Sequence, residues 1–334
     1  MDAGTVTATL KLRDEMSGSL SKAKQELSGL GQEAKKALST MGGFIGAQLA
    51  IGGVQEAFSR TLGAARDFNA LMANVASLIP NSTARVNELK TALQDMSVTT
   101  GKSTTDLSGG LYQVISAFGD TADAVSILDT NARAAAAGVA TTTDAINLTS
   151  AVTKGYGDTS AAAVKQAADL ALMTVRLGQT TFPELAQAMG TVTPIAASLK
   201  VSQVELFTAM ATLTGVTGGA STVTTQLRGA FVGLQNPTAE MSAALKTMGY
   251  SSGEAALQAL GFKGTLDGLL KASGGNANQL VKLWSATESW ASIAALAGGQ
   301  AQSFTDKQKA MASAAGTTDV AFREQTEGVN KAGF

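Results

Sequence analysis

The chain has 334 residues with 25 Lys+Arg against 26 Asp+Glu, a net charge of −1, and neither Cys nor His. This balance excludes the Lys/Arg excess with which proteins grip a phosphate backbone, so no sequence-specific nucleic-acid binding is expected. The missing thiols rule out disulfides, thiolate metal sites and cysteine nucleophiles, and the missing imidazoles remove the commonest general base and the commonest zinc ligand.

Aromatic residues make up 5% and charged residues 15% of the chain. A core must therefore be assembled from Ala, Leu, Val and Met, whose small side chains each bury little area at about 25 cal/mol per Å². The opening MDAGTVTATLKLRDE has neither the basic nor the apolar region of a signal peptide.

Thr5 to Leu12 alternates, with Val6, Ala8, Leu10 and Leu12 on one side, and predicts a short strand within residues 1–15. Leu20, Ala23, Leu27, Leu30, Ala34, Ala37 and Met41 then recur at spacings of 3 and 4. That is an a/d seam, and it predicts a heptad helix over 16–41 able to hold copies of the chain together. Gly29 and Gly31 weaken it by roughly 1 kcal/mol each relative to Ala, and the same pattern suits an amphipathic helix packed on its own core.

Residues 37–55 carry no charge, a run almost long enough to span a bilayer. Gly42, Gly46, Gly52 and Gly53 within it favour close helix packing over spontaneous insertion. Residues 42–66 thus read as a Gly-rich apolar helical linker.

From here the punctuation is helical throughout. Phe58, Leu62, Ala65, Phe68, Met72 and Val75 share a helical stripe that ends before Pro80. Ser82 is placed to cap the next helix, Ser103 with Asp106 the one after, and Asp120 the one carrying Val125 and Leu128. Thr141 with Asp144 opens a further helix, Gly155-Tyr156-Gly157 turns the chain, and Asp158 leads a long helix through Val164, Ala168 and Leu172.

Thr181 with Glu184, Ser202 with Glu205 and Ser251 with Glu254 are S/T-x-x-E capping boxes. From Val204 to Leu213 the apolar residues run almost all the way round, which predicts a helix buried on most sides. Gly215 to Gly219 breaks the chain. Val223, Leu227, Phe231 and Leu234 then line one helical face, and Asn236-Pro237 reads as a cap followed by a first-turn proline. Leu280, Leu283, Trp284, Trp290, Ile293 and Leu296 complete the apolar part, and residues 298–334 read as a polar helical tail that continues beyond Phe334.

Motifs that resemble chemistry read better as caps and turns. Thr100-Gly101-Lys102-Ser103 ends like a P-loop, but Met96 stands where the motif needs its first glycine and the preceding segment is helical. Gly155-Tyr156-Gly157-Asp158 lacks the third glycine and the strand of a dinucleotide fingerprint. Asp106, Asp144, Glu184, Glu205 and Glu254 sit one per helix start, where the helix dipole favours them. No catalytic residues, metal ligands or cofactors are expected.

The order of features Gly219-Ala220-Ser221, Leu227-Arg228, Leu234-Gln235 and Pro237-Thr238, with Asp67-Phe68-Asn69 and Met72 before it, resembles the conserved core domain of phage tail tape measure proteins. Thr99-Thr100-Gly101, Asp106-Leu107, Gly109-Gly110-Leu111, Leu280-Val281, Leu283-Trp284 and Ala294-Ala295-Leu296 extend the resemblance over residues 67–297. It implies an all-α, multi-helix core of short capped helices and a structural, non-enzymatic role. The family's proteins occupy the tail lumen of the virion, set tail length during assembly in the host cytoplasm, and leave ahead of the genome. Implied partners are further copies of the chain, tail tube, tail-tip or baseplate hub proteins and tail assembly chaperones, with transient contact to the host membrane. The competing reading is a membrane-active pore former using residues 37–55.

Overall fold

The structure, a computed structural model, describes residues 66–328. The strand expected in 1–15, the heptad seam of Leu20, Ala23, Leu27, Leu30, Ala34, Ala37 and Met41, and the glycines Gly42, Gly46, Gly52 and Gly53 lie outside the described residues.

Within them the chain is built from sixteen α-helices, joined by short turns and 3-10 segments, and contains no strand. A helix over residues 66–78 (α1) stops before Pro80. Then come α2 (Thr83–Thr100), α3 (Thr104–Phe118), α4 (Ala124–Ala137), α5 (Thr142–Tyr156) and α6 (Ala161–Leu177). Short helices α7 (Phe182–Ala188) and α8 (Thr193–Ser198) lead into α9 (Gln203–Leu213), α10 (Ala220–Gln235), α11 (Ala239–Thr247) and α12 (Gly253–Ala272). α13 (Ala277–Leu280), α14 (Trp290–Ala297), α15 (Ala301–Met311) and α16 (Thr317–Arg323) finish the array.

Two apolar clusters organise these helices. The smaller joins Phe68, Met72 and Val75 of α1 to Leu89 and Leu93, Leu107 and Leu111, and Ile127 and Leu128. The larger surrounds α9, every residue of which from Glu205 to Leu213 is buried, as its all-round apolar pattern predicts. α5 and α6 form the wall between the clusters, since Ile146 and Val164 face the smaller one while Leu148, Val152 and Leu170 face the larger.

With so many small side chains, close approach substitutes for bulk. A Cβ on Gly155 would stand 2.5 Å from Thr193 Cγ2, and one on Gly233 would stand 2.1 Å from Trp284 Cδ1. Trp284 itself is 1% exposed and its Nε1 donates to Ala230 O at 2.9 Å, so both tryptophans are core residues or lean on it: Trp290 Nε1 donates to Trp284 O.

The structure moves several expected boundaries. Thr238, not Asn236, accepts from the Met241 N–H to cap α11, and Ser252, not Ser251, accepts from Ala255 N–H to cap α12. Ser160 caps α6, while Asp158 accepts from Ser160 N–H in the preceding turn. Asp120 caps nothing and instead pairs with Arg85 at 2.9 Å. Ser82 stands at the start of α2 without a side-chain cap bond.

The division at residue 297 is also corrected. Phe304, Met311 and Ala314 belong to the larger apolar cluster, α15 packs on α9, and α16 packs on α4 and α6, so residues 301–326 are part of the core and not a tail.

Two consequences are measurable. Gly233→Ala should lower stability by about 1–3 kcal/mol through overpacking against an immobilised indole and shift the tryptophan emission. Unchanged denaturation and emission would contradict the packing at Trp284. Asp169 of α6, 3% exposed, accepts from Gly316 N–H and Thr318 N–H at 2.8 Å each, at the start of α16. Asp169→Ala strands those amides and should cost about 2–4 kcal/mol, opening residues 316–323 to proteolysis first. Equal stability and cleavage in the two proteins would remove that role from the carboxylate.

Candidate functional site

A helix start leaves its first amide N–H groups without intrahelical partners and concentrates positive potential there. Four of the expected caps, Ser103, Thr141, Thr181 and Ser202, occupy those positions. Ser103 Oγ accepts from Asp106 N–H, and Ser202 Oγ from Glu205 N–H. Thr141 with Asp144 and Thr181 with Glu184 close full capping boxes.

Several carboxylates then act a second time, across the fold. Asp106, in the first turn of α3, accepts from Thr142 Oγ1 at 2.6 Å and from Thr142 N–H at 3.1 Å, at the start of α5. Glu205, 8% exposed, reaches from α9 to α12, where Gly261 (φ 71°, ψ 179°) kinks the helix and frees an amide: Glu205 Oε1 accepts from Phe262 N–H at 2.6 Å. Lysines serve the opposite ends. Lys102 Nζ donates to Ala140 O beyond α4, and Lys307 Nζ donates to Ala211 O in the last turn of α9, with burial lowering the Lys307 pKa.

The Gly101-Lys102-Ser103 stretch is thus a left-handed helix end, a carbonyl ligand and a cap in succession. Asp169 gave no spacing signal, since its partners lie more than a hundred residues away in sequence; an acid inside the otherwise apolar run Ala167 to Leu172 was its only mark.

Among the described residues an open groove of about 1,060 Å³ lies between the end of α5, the segment from Gly190 to Val201, and the start of α9. Ala151, Gly155, Gly190 and Ala197 line it with small surfaces, and Lys154, Lys200, Ser202 and Gln203 add polar ones. Tyr156 closes one side, its hydroxyl donating to Val201 O at 2.9 Å. In the sequence Tyr156 stands only as the middle of the Gly155-Tyr156-Gly157 turn, and no spacing signals this contact. Among the described residues no group of acidic side chains is arranged to hold a metal ion.

Burial, reinforced by the charge on Glu205, pushes the Tyr156 pKa well above its ordinary 10. A folded value above the unfolded one means that this contribution to stability is intact below about pH 10 and declines as pH rises beyond it. Wild-type urea midpoints should therefore fall more steeply between about pH 9 and 11 than those of Tyr156→Phe. Parallel curves would contradict the buried phenol.

The family model described as phage-related minor tail protein matches residues 90–284, from the middle of α2 to Trp284. No curated protein and no solved structure matches the chain. The match spans more than half of the sequence and includes α3 to α12 whole, with the caps and carboxylate contacts that join them. The chain belongs to the family of phage-related minor tail proteins.

Proposed function

We propose that this protein is a structural tail tape measure protein: it occupies the tail lumen, sets tail length during assembly and leaves at genome ejection. The observation that carries the reading is the family match over residues 90–284 on an all-helical core. The chemistry of that core supports a non-enzymatic role, because its buried carboxylates Asp169 and Glu205 are committed to helix amides and no imidazole or thiol stands beside them.

In this reading copies associate through Leu20, Ala23, Leu27, Leu30, Ala34, Ala37 and Met41, and the core docks on tube, tail-tip or chaperone proteins. Among the described residues no helix is long and apolar enough to cross a membrane. The rival pore-forming segment 37–55 lies outside them, and liposome flotation of the purified chain separates the two readings.

Leu27→Asp with Leu30→Asp should convert an oligomer to a monomer by sedimentation and, in the phage, yield tails of aberrant length by electron microscopy. Unchanged association and tail length would remove both the seam and the ruler.

A further inference from the structure

We draw no further inference here: the strongest candidate, the surface turn between α4 and α5 where Val139 holds a positive φ of 51° with its side chain 82% exposed, carries nothing because nothing in the structure shows what covers it.

Discussion

Unpaired amide groups at helix starts are the constraint on which this structure turns. A chain cut into many short helices exposes such groups repeatedly, and in a packed interior each needs an acceptor. Here Ser and Thr caps supply the nearest acceptor, and carboxylates from other helices supply a second one: Asp106 for α5, Glu205 for the far half of α12, Asp169 for α16. These charge-assisted bonds are directional. They fix which helix end meets which, in a core whose alanine-rich surfaces would otherwise slide past one another at little cost.

The same bonds account for features that look chemical in isolation. Glu205 is buried next to a groove and beside a tyrosine, the setting in which a catalytic acid is usually sought, yet both its oxygens are occupied by Phe262 N–H and Ser202 Oγ. Gly261 and Glu205 form one device: only a residue tolerant of positive φ can make that kink, and a Cβ there would stand 2.5 Å from Glu205 Oε1. The kink frees an amide, and the carboxylate takes it. Lys307 completes the pattern at the C-terminal end of α9, where positive charge suits the dipole, and Lys102 holds Ala140 O in the turn between α4 and α5.

Much of this was legible in the sequence, up to a limit set by distance. Ser103, Thr141, Thr181 and Ser202 could be read because a cap and its partner lie three residues apart. Ser251 and Ser252 both offer a hydroxyl, so local spacing cannot choose between them. The choice is tertiary: a Cβ at Gly253 would fall 2.2 Å from Leu234 O, and only a glycine-first helix can start against that carbonyl. Thr238 displaces Asn236 for a related reason, its hydroxyl also donating to Leu283 O. The helix-to-helix carboxylates have no local signature at all. Residues 301–323 look polar by composition, but Phe304, Met311 and Phe322 suffice to anchor them.

Native-state amide hydrogen exchange tests the central claim most directly. If the carboxylates of one helix close the starts of others, the amides of Thr142, Phe262, Gly316 and Thr318 should exchange only on global unfolding. Exchange of these amides on the timescale of open turns, with the helix interiors still protected, would contradict it.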